Sequence, residues 1–219
     1  MPKLIPSKAP NLPAATDIYS KQFQDQLLNI LRIYFNTIDN GLANLFGADG
    51  GQFLNIPHIA ASDTTDQYAG GDNTPTLVAW NQGESINGFS LAGGVATALY
   101  SGVYKITYSL QLINNATSSE HVAYVWLKVN NVDVLRSTTA FTIPKAASVD
   151  SYVCGYSEVV FSLQAGDTVA LYWATDKAAT AGGTKGIYIY AENAQVSPYA
   201  RPAIPSAIGS ITFVSSTGT

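Results

Sequence analysis

The chain has 219 residues, enough for one large domain with appendages. Hydrophobic residues make up 47% and charged residues only 12%, about half the usual charged share, so Ser, Thr, Asn, Gln and Tyr or neighbouring molecules must cover much of the surface. A net charge of −4 and a pI near 5.0 offer nothing to a phosphate backbone, no apolar run reaches membrane-spanning length, and the single cysteine, Cys154, excludes an intrachain disulfide.

Residues 1–16 carry Pro2, Pro6, Pro10 and Pro13, and read as an extended, proline-rich arm. No apolar segment follows Lys3 and Lys8, so no secretory signal is expected, and folding is expected in a cytosol. Thr16 or Asp17 is expected to cap an amphipathic helix over residues 17–47. Phe23, Leu27, Ile30, Leu31, Tyr34, Ile38, Leu42 and Leu45 recur at threes and fours. Leu27, Leu31, Tyr34, Ile38 and Leu45 trace a heptad-like seam. Such a stripe needs cover, from copies of itself, from a partner or from its own domain. Gly47, Gly50 and Gly51 are expected to end the helix.

Residues 48–197 read as all-β. Strands are expected over Phe53–Ala61, Thr76–Asn81, Ser85–Leu91, Val95–Leu99 and Gly102–Leu112. More are expected over Val122–Val129, Val132–Ser137, Ser151–Leu163, Thr168–Ala174 and Gly186–Glu192. In Gly102–Leu112, Tyr104, Ile106, Tyr108, Leu110 and Leu112 share one face while Lys105, Thr107, Ser109 and Gln111 share the other, the period of a half-buried strand. Asn130-Asn131 fits a tight hairpin, and Ala165-Gly166-Asp167 marks another turn. Pro198, Pro202 and Pro205 make residues 198–219 read as an extended tail, whose Ile211 and Phe213 are expected to meet a neighbour.

Leu77-Val-Ala-Trp-Asn81, Gly88-Phe89 and Ser101-Gly102-Val103-Tyr104 occur in that order. Tyr124-Val-Trp-Leu-Lys-Val-Asn-Asn131, Val159-Val-Phe-Ser-Leu-Gln-Ala-Gly-Asp167 and Gly186-Ile-Tyr-Ile-Tyr190 follow them. Over residues 76–192 this series resembles the C1q/TNF-like jelly roll. The resemblance implies a mainly β sandwich that associates in threes. Pro10-Asn-Leu-Pro13, Tyr19 and the run Phe23–Asp39 resemble the opening segment of virion proteins from tailed phages of aquatic bacteria. Together the two resemblances imply a homotrimeric structural protein of a phage particle. Its expected partner is the major capsid protein or another virion protein.

Little in the sequence points to catalysis. His58 and His121 stand singly among strand residues, and neither His-Glu-x-x-His nor Cys-x-x-Cys occurs, so no metal and no cofactor is expected. Gly155-Tyr-Ser157-Glu-Val159 lacks the closing glycine of a nucleophile elbow. Cys154 is expected as a buried, inert thiol. Asp63, Asp66 and Asp72 share a glycine-containing loop without EF-hand spacing, and a solvated loop is expected there rather than a calcium site. Trp80, Trp126 and Trp173 sit in alternating runs, where core or subunit contact is expected before sugar stacking.

Two functions follow from this reading. The first is a homotrimer that decorates or cements a capsid. It docks through Pro10 and Pro13 of the arm and Phe23, Leu27, Ile30, Leu31, Tyr34 and Ile38 of the helix. The second is a tail fibre, adaptor or receptor-binding module that contacts a host surface glycan through loops 63–73 and 176–185. Neither needs nucleic acid or membrane insertion.

Overall fold

The computed structural model describes residues 10–12, 20–46 and 55–216. Residues 1–55 and 56–219 form two compact units, each described by itself.

In the first unit, helix α1 (Lys21–Phe46) runs for 26 residues. The Phe23 amide donates to Ser20 Oγ at 3.3 Å and the Gln24 amide to the Ser20 carbonyl at 3.1 Å, an N-terminal cap; Thr16 and Asp17, expected to cap the helix, and Gly47, Gly50 and Gly51, expected to end it, lie outside the described residues.

Among its described residues the second unit holds thirteen strands. They are β1 (His58–Asp63), β2 (Thr76–Leu77), β3 (Gln82–Asn87), β4 (Phe89–Ala92), β5 (Val95–Ala98), β6 (Gly102–Asn114) and β7 (His121–Val129). β8 (Val132–Asp133), β9 (Thr139–Ile143), β10 (Ser151–Leu163), β11 (Thr168–Thr175), β12 (Ile187–Ile189) and β13 (Ala207–Ser215) complete the set. One sheet has the order β3-β1-β13-β6-β10, with β12 also on β6. The other has the order β4-β5-β11-β7-β8, with β2 on β11 and β9 on β7. The first and last strands are neighbours in the same sheet, and the chain crosses repeatedly from one sheet to the other, the order of a jelly roll.

The polar and apolar faces of β6 decide which side is core. Tyr104, Tyr108, Leu110 and Leu112 are fully buried, facing Val125, Leu127, Leu171 and Trp173 of the other sheet. Phe89, Tyr104 and Phe213 form an edge-to-face series with centroids 5.3 and 5.6 Å apart.

Several expectations need correction. Residues 207–215 are not a tail. Strand β13 lies between β6 and β1, so Ile211 and Phe213 are buried core residues and are not available to a neighbour. The three prolines that disguised it sit in an excursion. β12 and β13 occupy consecutive positions along β6, pairing Ile189 with Leu112 and Ala207 with Leu110. Between them the chain leaves the sheet and folds on itself through the bridges Glu192–Ile204 and Gln195–Arg201. Proline, lacking an amide donor, is tolerated there and not in the central strand.

The run Ser85–Leu91 is broken at Gly88, whose φ of 70° interrupts the extended backbone. A Cβ there would also lie 2.9 Å from Pro57. Of Val132–Ser137 only Val132–Asp133 forms a strand, and Arg136 further on leaves extended backbone with φ 67°. Strand β9 had no expected counterpart. The Asn130-Asn131 hairpin is formed, with φ of 50° and 63° at the two residues.

Candidate functional site

The six helix positions expected to make contacts share one face. Phe23, Leu27, Ile30, Leu31, Tyr34 and Ile38 are each partly covered, whereas Leu28, Ile33, Phe35, Leu42 and Leu45 are exposed. Among the described side chains of α1 none is buried. Pro10 is partly covered, and Pro13 lies outside the described residues.

Sequence reasoning missed an apolar surface on the sandwich. On the outer face of the first sheet, strand alternation presents Tyr152, Tyr156 and Val160 of β10, and Ile208 and Val214 of β13. Tyr156 and Ile208 both lie directly across from Ser109 of β6, so the three residues form one row across the strands. Lys105 and Glu158, paired at 3.4 Å, are the charged side chains that β6, β10 and β13 place on this face. Cys154 belongs here too. It is exposed rather than buried, because Gly155 takes the inward position, and its Sγ lies 3.2 Å from Ser109 Oγ.

The three loop aspartates go to different partners and do not converge on a cation. Asp63 is buried, not solvated, and accepts from the Thr65 amide at 2.8 Å and the Thr65 hydroxyl at 2.6 Å. Asp66 accepts the Ala191 amide at 2.8 Å. Asp72 accepts the Ala178 amide at 2.8 Å and pairs with Lys177 at 3.1 Å, and these two contacts hold its carboxyl below the usual carboxylate range. Loops 63–73 and 176–185 are therefore bound together at Asp72. Among the described residues no group of three His, Cys, Asp or Glu side chains is placed to hold a metal ion.

His58 is held by the Ile56 carbonyl and Ser85 Oγ, each at 2.9 Å. His121 Nε2 lies 3.1 Å from Ser119 Oγ, and its Nδ1 lies 3.0 Å from Asp176 Oδ2. The order Ser-His-Asp is that of a hydrolase triad. Its neighbours give it another use: Asp176 also accepts the Val122 amide at 2.8 Å, tying the start of β7 to the end of β11. Burial raises the Asp176 pKa, but hydrogen bonds from His121 and the Val122 amide outweigh it, so the carboxyl stays below its ordinary value. An apolar space of about 30 Å³ lined by Trp80, Gly209 and residues of both sheets does not include Ser119. The glutamates are dispersed: Glu84 accepts from Ser62, Glu158 meets Lys105, and Glu192 meets Arg201.

The tryptophans separate by face. Trp173 is fully buried, Trp80 packs on the core over Gly209, and Trp126 stands on the outer face of the second sheet.

No protein-family model matches the sequence, and no curated protein matches it. Many solved structures are similar in fold, among them the following two. The globular domain of zebrafish complement 1qA protein is 12% identical with a TM-score of 0.44, the match covering 74% of this chain and 99% of that one. Murine APRIL is 15% identical with a TM-score of 0.40, covering 72% and 99% respectively. The C1q/TNF-like jelly-roll fold of this chain rests on its own strand order.

Proposed function

We propose that this chain is a self-associating structural protein of a tailed-phage virion, a homotrimer that decorates or cements the capsid. The observation that carries self-association is the outer face of the first sheet. Tyr152, Tyr156 and Val160 are 57–61% exposed there, beside Ile208 and Val214, with one internally paired charge couple. Single exposed apolar residues are ordinary, but this set, interspersed with the polar β6 side chains Lys105, Thr107, Ser109 and Gln111, supports an interaction surface. The incompletely covered seam of α1 offers a second surface of the same kind. The number three comes from the jelly-roll resemblance, and the placement on a phage particle from the resemblance of residues 10–39.

Cys154 supplies the probe. The solution mass is expected at three times the 23.2 kDa chain, with Cys154 slow toward a maleimide until the assembly is dissociated. Labelling of intact particles with an antibody against the chain is expected to decorate the head. A monomer at high concentration with a freely reactive Cys154 would overturn self-association. An assembled protein missing from purified particles would overturn the virion role alone.

A further inference from the structure

We infer that three copies of α1 close on one another as a parallel coiled coil, through a seam other than the one expected from the sequence. Leu28, Leu31, Phe35, Ile38, Leu42 and Leu45 follow one another at alternating steps of three and four without a break. That is the a and d pattern of a left-handed coiled coil. The expected seam, by contrast, is interrupted at Gly41. Leu28, Phe35, Leu42 and Leu45 are 42–64% exposed, so the regular side of the helix is also its open side. Leu31 and Ile38, both at d, are partly covered.

The register selects the occupant. A straight helix drifts by about 20° per heptad against a seam of period 3.5, so only a helix with the same repeat covers it along its length. Each further copy of the chain brings one such helix. Charge stays off the seam: Arg32 and Asp39 both fall at e, beside it. The far side, at b and f, carries Asn29, Asn36 and Asn40, with Ile33 the apolar exception.

The core residues also bear on the number of copies. Two-stranded coils favour a β-branched residue at a with leucine at d. Here a is Leu28, Phe35 and Leu42, and d holds Ile38 between two leucines, which favours more strands. Leu27 and Tyr34, at g, widen the apolar band beyond a two-helix seam. The parallel order rests on the self-association proposed above. β1 follows α1 closely in the chain, so sandwiches that associate bring like ends of their helices together. Their association also raises the effective concentration of helices too short to pair tightly alone.

Disulfide trapping in the full chain tests this, in a Cys154→Ser background so that the added thiol is the only one. In a parallel seam equal a positions face one another, within reach of a disulfide. Leu28→Cys and Leu42→Cys are each expected to cross-link two chains under mild oxidation, at least about tenfold more than Ile33→Cys and Asn40→Cys at f. Should either a variant lose its helical circular dichroism, Leu45→Cys at d takes its place with the same expected yield. Equal yields at a and f overturn the inference. A Leu28→Cys chain that cross-links only to a Leu42→Cys chain overturns the parallel order and with it the inference. A parent chain of threefold mass whose variants form no cross-link overturns the helical seam and leaves the contact of the sandwiches standing. A monomeric parent overturns both.

Discussion

The double substitution Tyr156→Asp with Ile208→Asp addresses the proposed contact at its centre. The two side chains flank Ser109 on adjacent strands and are 59% and 49% exposed in the single chain. Fully covering a large apolar side chain contributes about 1.5–3 kcal/mol, so covering the remaining half of each gives roughly 1–1.5 kcal/mol, or about 2–3 kcal/mol per subunit. Two carboxylates trapped without partners add a desolvation penalty of several kcal/mol. The sum weakens association by at least about a thousandfold. Folding of the single chain is barely touched, since both positions already meet water and such surface changes stay within about 0.5 kcal/mol. Val160→Asp is the milder control, because its cross-strand neighbour is Lys105 and the new carboxylate gains a partner. Sedimentation at fixed concentration is expected to show monomers for the double variant and assembly for Val160→Asp, with similar thermal melts. An assembled double variant would refute the assignment of this face, and a melt lowered as far as the mass would show that the positions serve folding instead.

Other consequences concern the sandwich and the helix. Gly209→Ala places a Cβ 2.4 Å from the Trp80 ring, and the overpacking is expected to lower stability by about 1–3 kcal/mol, read as a fall in melting temperature. Asn114 is fully buried, donates to the carbonyls of Ser119, Ile143 and Pro144, and accepts the Ala116 amide at 2.9 Å; Asn114→Ala leaves these groups unmatched, and denaturant titration is expected to show a loss of about 1–3 kcal/mol or more. Asp176 has a folded-state pKa below its unfolded value, so its contribution is fully present above the ordinary carboxylate range and is lost as pH falls through the depressed value. Asp176→Asn is therefore expected to flatten the acid limb of the stability profile while lowering the neutral plateau. Leu27→Asp with Leu31→Asp places two charges on the partly covered face of α1, and pull-down from particle lysates is expected to show loss of incorporation; normal incorporation would remove the helix from the docking surface.

The core was legible because β6 alternates cleanly: Tyr104 to Leu112 on one face and Lys105 to Gln111 on the other leave one way to orient the strand. Turns were legible where a single residue type dictates the backbone, as at Asn130-Asn131. Strand β13 was not, since proline density is a local signal and the central position of residues 207–215 depends on pairing with β6, nearly a hundred residues earlier. Cys154 was misplaced for a smaller reason. A one-residue change of phase moves a strand side chain to the other face, and Gly155 gives no apolar cue to set the phase. Trp126 looked like Trp173 in the sequence, and only the cross-strand partners tell them apart.

β10 carries the deepest consequence of this pattern. In an antiparallel sheet with one wet face, the outward residues are polar, and β6 obeys that rule with Lys105, Thr107, Ser109 and Gln111. β10, paired to β6 over its whole length at the end of the sheet, does not. Its inward positions include Val153, Val159 and Phe161, while its outward positions include Tyr152, Tyr156 and Val160. A strand that carries large apolar side chains on both faces, with Glu158 and Ser162 among those on the outer one, suits partial cover on its outer side, while its inner side packs on the core. Capsid decoration needs this kind of surplus: apolar area on a fixed scaffold, matched by symmetry, with no cavity to maintain.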